Sequence, residues 1–92
     1  LGRPHLVHQA IVMFQKQALQ NLEELDSACQ AGSLEGIAQA AHALKSSSLS
    51  VGGRRFAAAA GEVEQAARRE ALDTARKLGG GLRPEFAVLS QA

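Results

Sequence analysis

Ninety-two residues make one small domain by length, and 46% hydrophobic residues are enough to give it a core, which excludes a disordered chain and a two-domain enzyme. The apolar set is eighteen Ala and twelve Leu against three Phe, seven Val or Ile and no Trp or Tyr, a composition that builds helices and not sheets. It also lacks the aromatic lining of small-molecule pockets, so a cofactor enzyme is not expected, and a net charge of +1 leaves no footprint for nucleic acid or an anionic membrane.

Breakers divide the chain into four segments. Pro4 suits the first turn of a helix, and no Pro or Gly follows until after Ala31. Within that stretch Val7, Ile11, Phe14, Ala18, Leu22, Leu25 and Cys29 recur at spacings of three and four, which places them on one face. Such a helix is more than twice the mean length, and a break near its start would leave a short leading helix.

Gly32 fits the C-terminal cap, and the Ser33 side chain can accept a bond from a free backbone N–H of the next helix. That second helix runs from Leu34 to about Val51, with an inward stripe of Leu34, Ile37, Ala41, Leu44, Ser48 and Val51, and the Gly52, Gly53 pair ends it. A third helix covers about Arg54 to Glu70 and turns Phe56, Ala59, Ala60, Val63 and Ala67 inward.

Asp73 is placed to cap a fourth helix with inward positions Leu78, Leu82, Phe86 and Leu89. Gly79, Gly80 and Gly81 each cost about 1 kcal/mol relative to Ala in a helix interior, and Pro84 removes a hydrogen bond and crowds the carbonyl of Gly80. The expectation is a kink or break between Gly79 and Pro84, with the apolar period continuing across it. Connections of two to four residues carry a chain only to an antiparallel neighbour. The fold class is therefore all-α: an antiparallel up-and-down four-helix bundle over residues 1–92, with room for a short extra N-terminal helix.

The stretch Ala41 to Gly52 carries the most chemistry. At roughly 100° per residue, His42 lies about 110° from the centre of the buried stripe, so it points out of the core toward its flank. Its surface neighbours are Ala38, Gln39, Lys45 and Ser46, with Leu49 one turn further on. Ala38 and Ser46, directly along the axis, are small, so the imidazole stands clear with an ammonium group beside it. A neutral imidazole is a competent nucleophile, and an exposed one can enter a partner's active site. Phosphoryl transfer asks mostly for positioning and charge stabilisation, which Lys45 one turn away can supply. On spacing alone, however, a lone histidine on a helix flank reads as a solvated surface residue.

His42-Ala43-Leu44-Lys45-Ser46-Ser47-Ser48, with Gly52 ten residues after the histidine and Phe56 and the Val63-Glu64 pair beyond it, resembles the signature of the histidine-containing phosphotransfer (HPt) domain. That pattern is His-x-Leu-Lys-Gly/Ser, a Gly at that distance, then an apolar residue and a Leu-Glu pair on the next helix. The resemblance implies a phosphorelay intermediate without a nucleotide site. By carry-over His42 is the phosphoacceptor, Lys45 its charge partner, Ser46 the small residue where many members have Gly, and Gly52 the helix-ending turn. Ala38, Gln39, Ser46 and Leu49 would form the docking patch. The implied partners are response-regulator receiver domains, which supply the aspartate and magnesium, and an upstream sensor histidine kinase. The chain itself holds no cofactor. The triple serine leans toward modules attached to hybrid sensor kinases. Val63 in place of Leu and the Gly79 to Gly81 run with Pro84 depart from the family pattern, and none of them touches the histidine.

The single Cys29 cannot form an internal disulfide, no apolar run approaches the roughly 18 residues of a membrane span, and no signal peptide is evident. A cytoplasmic, monomeric module is expected, free or tethered to a membrane-bound sensor kinase; a start at Leu1 fits a segment of a longer protein. Other candidates are weaker. His5 and His8 lack a third metal ligand. Arg54, Arg55, Arg68 and Arg69 read as solvated charges, some of them able to meet an acidic receiver surface. Cys29 reads as an inert core residue, and Glu62 and Glu64 as helix surface charges. The competing function is a helical interaction or dimerisation module without phosphate chemistry. An ATP-binding kinase is disfavoured, since the Gly79 to Gly81 run lacks the Lys and Ser or Thr of a phosphate loop.

Overall fold

A computed structural model describes residues 4–50 and 53–91, with side chains described over 12–50 and 53–87. The helices in chain order are α1 (Pro4–Ala31), α2 (Leu34–Ser50), α3 (Arg54–Arg68), α4 (Leu72–Gly80) and α5 (Leu82–Gln91). No break interrupts the 28 residues of α1, so the short leading helix that its length invited is not present. The expected inward positions Val7, Ile11, Val51 and Leu89 lie outside the described side chains, as do His5 and His8.

The first connection is built as its residues dictate. Gly32 adopts φ 70°, the left-handed conformation that costs glycine nothing. Its N–H reaches the Cys29 carbonyl while the Ser33 N–H reaches that of Ala28, which satisfies two otherwise orphaned acceptors. Ser33 then caps α2, its Oγ accepting from the Gly36 N–H at 3.1 Å.

The connection between α3 and α4 differs from the sequence expectation. Helix α3 stops at Arg68 and not at Glu70, because Glu70 takes the left-handed turn at φ 60°. The N–H groups of Glu70 and Ala71 close back onto the carbonyls of Ala67 and Ala66. Helix α4 therefore begins at Leu72, with Ala71 at the N-cap and no side-chain cap bond. Asp73, expected as that cap, sits inside the first turn, where its charge still complements the helix dipole.

The glycine run resolves as a break. Helix α4 ends at Gly80, the Gly81 N–H closes a tight turn onto the Leu78 carbonyl, and α5 starts at Leu82. Pro84 thereby falls in a first turn, where its missing N–H removes no intrahelical bond. The buried Gly79 faces Cys29 and Leu25 of α1; a Cβ there would meet the Cys29 sulfur at 3.5 Å, so the glycine lets α4 approach α1 closely.

Cross-helix contacts run in antiparallel order. Asp26 meets Arg83, Cys29 meets Arg76 and Gly79, and Gly32 meets Leu72, so the α4–α5 pair descends along α1 as one bent arm. The outcome is a four-helix bundle whose fourth helix is broken in two. Its core holds Leu22, Leu25, Ile37, Leu44, Val63 and Leu82, each removed from water and each contributing about 1.5–3 kcal/mol. All three phenylalanines of the chain meet at the far end of the bent arm. Phe86 lies 6.2 Å from Phe14 and 5.9 Å from Phe56 between ring centroids, both pairs tilted, which fastens α5 to α1 and α3. Ser48, on the expected inward stripe, is fully buried and satisfies its hydroxyl by donating to the Leu44 carbonyl.

Candidate functional site

Helix α2 presents His42 with 59% of its side chain exposed, on the flank where the helical period puts it. The neighbours predicted from spacing are placed as follows. Gln39 and Ser46 are exposed beside it, and Leu49 is 54% exposed a turn beyond. Ala38 is 6% exposed, covered by α3, and so adds little to an exposed apolar patch. Gly52 lies outside the described residues. Of the serines, Ser47 and Ser50 donate back to carbonyls of their own helix, and Ser46 makes no such bond, which leaves its small hydroxyl beside the histidine.

The group that organises the site is Glu64 of α3. Spacing read it as a surface charge, alongside Glu62; Glu62 is exposed, but the Glu64 side chain is only 6% exposed. The reason is its register. Ala57, Ala60, Glu64 and Ala67 recur at three and four residues, so the carboxylate occupies the middle of an alanine stripe that packs on α2. The alanines bring α3 close enough for the carboxylate to reach across. A glutamate interrupting a stripe of small residues, with an arginine four residues on, was the signal available in the sequence.

Three cationic or potentially cationic groups meet that carboxylate. His42 Nδ1 lies 3.2 Å from Oε2 and 3.4 Å from Oε1. Arg68, four residues along α3, places Nε and Nη2 at 3.0 and 2.8 Å from Oε2. Lys45 Nζ stands 4.0 Å from Oε1, with the side chain 40% exposed and its stem passing over Gly61. Burial alone would push the Glu64 carboxyl up, but hydrogen bonds and charge from Arg68 and His42 outweigh it and hold the group below its ordinary value. Glu64 is thus an ionised acceptor at neutral pH, and a buried carboxylate lacking such partners would cost several kcal/mol.

An ionised carboxylate only accepts, so the bond to His42 requires the hydrogen on Nδ1. In the neutral ring the lone pair is then on Nε2, which no protein group engages among the described residues. Exposure, a fixed tautomer and nearby positive charge are what a nucleophile directed at a phosphoryl group needs.

Shallow open depressions flank the histidine along the α2–α3 seam. One is lined by Leu34, Glu35, Ala38, Gln39, Ala67 and Arg68, the other by residues including Lys45, Gly61, Glu62, Gln65 and Arg69. Cys29 is half-buried against α4; burial and the Asp26 charge push its thiol up, Arg76 opposing them, so it stays protonated as an inert packing residue. Among the described residues, no three His, Cys, Asp or Glu side chains gather as a metal site, and no helix is long and apolar enough to cross a membrane.

The Hpt domain family model matches residues 9–92, and the chain belongs to that family. No curated protein and no solved structure gives a match. Membership means histidine phosphotransfer within two-component phosphorelays, by a phosphocarrier module that interacts with response-regulator receivers and kinases.

Proposed function

We propose that this domain takes a phosphoryl group onto Nε2 of His42 from the phosphorylated aspartate of a receiver domain, and returns it to the aspartate of another. The observation that carries the reading is the bond between the exposed His42 ring and the buried Glu64, which leaves Nε2 as the outward nucleophile. In the forward step the Nε2 lone pair attacks phosphorus, the bond between phosphorus and the aspartyl oxygen breaks, and the aspartate leaves with that electron pair. Nδ1 keeps its proton throughout. The phosphorylated ring is then formally cationic, and the Glu64 carboxylate beside Nδ1 stabilises that charge; the same cation is a good leaving group for the return transfer.

Lys45 is the charge partner of the phosphoryl oxygens. At 4.0 Å from Glu64 Oε1 its ammonium is not committed to a tight ion pair, and its exposure leaves it free to follow the incoming group. The receiver contributes the aspartate and a magnesium ion, which polarises the transferring group. Gln39, Ser46 and Leu49 meet the receiver, with Ala38 beneath them. The module works as a monomer in the cytoplasm, standing alone or as part of a hybrid histidine kinase. Incubation with a phosphorylated receiver tests the assignment: label on His42 that is acid-labile and base-stable supports it, and its absence favours a purely structural interaction module.

A further inference from the structure

We infer that Arg68 is a positioning residue for the phosphotransfer histidine, acting through Glu64: its two-nitrogen grip on Oε2 aims the carboxylate at Nδ1 and so decides which nitrogen of His42 faces the partner. This inference rests on the phosphoacceptor reading of His42 for its consequence in transfer, but the ring geometry it describes stands independently.

Glu64 reaches the site from α3 through an alanine stripe, which gives it space. The charged or titratable groups that meet it are His42 and Lys45 from α2 and Arg68 from α3. Lys45 is distant at 4.0 Å, whereas Arg68 brings two donors to one oxygen at 3.0 and 2.8 Å. Two donors of one planar guanidinium converging on Oε2 fix direction as well as supply charge, which a lysine ammonium does not. With Oε2 anchored from the α3 side, the carboxylate can turn little, and both oxygens stay within reach of Nδ1.

Without Arg68, burial works against the ionised form, and the carboxyl retains only the imidazole and, at 4.0 Å, Lys45 to hold it charged. A carboxyl that protonates or swings away ceases to demand a hydrogen on Nδ1. The neutral ring is then free to place its hydrogen on Nε2, the nitrogen that must carry the lone pair. Arg68 is 56% exposed, so its removal opens no cavity in the core.

Nitrogen-15 NMR of the His42 ring at about pH 9, where an ordinary imidazole is neutral, tests the inference on the intact chain. The wild type is expected to show predominantly the Nδ1–H form. Arg68→Gln is expected to move the ring substantially toward the Nε2–H form, and Arg68→Lys to move it by less. A folded Arg68→Gln protein with an unchanged tautomer ratio would overturn the inference, whether or not His42 accepts phosphate.

A second arm follows labelling by potassium phosphoramidate, in which Nε2 attacks phosphorus and ammonia leaves. Arg68→Gln is expected to slow it about tenfold by misplacing the nucleophile's lone pair. In a Glu64→Gln background the same substitution is expected to add nothing, since its intermediary is gone. Effects that multiply would show Arg68 acting on the phosphoryl group itself and contradict a positioning role. Failure of the wild type to take label would defeat the phosphoacceptor reading while the tautomer measurement still decides the role of Arg68.

Discussion

His42 on α2 and Glu64 on α3, 22 positions apart in sequence, share a hydrogen bond that joins an exposed imidazole to a buried carboxylate. The contact makes the acid range informative. Glu64 is held below its ordinary value in the folded protein, so the unfolded chain binds more protons in the window between the two values. Stability therefore rises with pH through that window; the contribution is complete above the ordinary carboxylate range and is lost as pH falls through the lower folded value. Glu64→Gln removes the titration. Denaturant unfolding at a series of pH values from about 3 to 6 is expected to give a shallower stability profile for this variant than for the wild type.

The turn after α3 carries a backbone cost. Glu70 sits at φ 60°, where an L side chain is strained and a glycine is not, and its side chain is exposed. Glu70→Gly is expected to stabilise the protein by about 0.5–1 kcal/mol, offset in part by glycine's freedom in the unfolded chain. Thermal unfolding is expected to show a rise of roughly 2–8 °C, with phosphoryl labelling of His42 unchanged.

Besides the buried Leu82 and the Arg83–Asp26 ion pair, helix α5 is held by one ring. Phe86 contacts both other phenylalanines, and behind it the chain is broken at Gly81, so α4 does not hold α5 by helix continuity. Phe86→Ala is expected to cost about 3–5 kcal/mol. Hydrogen exchange is expected to report the loss first in α5, because the break lets that segment open by itself.

These elements also show where the sequence was readable. The caps at Gly32 and Ser33, the helix periods and the break in the glycine run follow from local chemistry: conformational freedom, a hydroxyl acceptor, a missing N–H. Where their side chains are described, the inward stripes of α1 to α3 were legible for the same reason, with Cys29, Leu34 and Ala59 only half-buried at their margins, and so was the outward placement of His42. The end of α3 was not, because Glu70 in a left-handed turn contradicts its own propensity and is imposed by the short link to α4. Glu64 was misread for a deeper reason. Periodicity assigns charges to the outside, and a buried carboxylate makes sense only once Arg68, His42 and Lys45 are seen to converge on it across two helices. Ala38 was misread in the opposite sense, since its exposure depends on how closely the alanines let α3 approach.

The space around the histidine yields a further prediction. Ser46 is exposed one turn beyond His42 on the same helix. Ser46→Phe is expected to slow transfer from a phosphorylated receiver by about a hundredfold, because the ring displaces the partner's active site, while slowing phosphoramidate labelling far less. Equal slowing by the two donors would show that the residue matters to the ring itself and not to docking.

The most direct test of the account is phosphoryl uptake by His42→Gln from a phosphorylated receiver, with helix content followed in parallel by circular dichroism. Wild-type helicity and no acid-labile, base-stable phosphate are expected on the variant, against clear labelling of the wild type. Undiminished labelling of His42→Gln would contradict it.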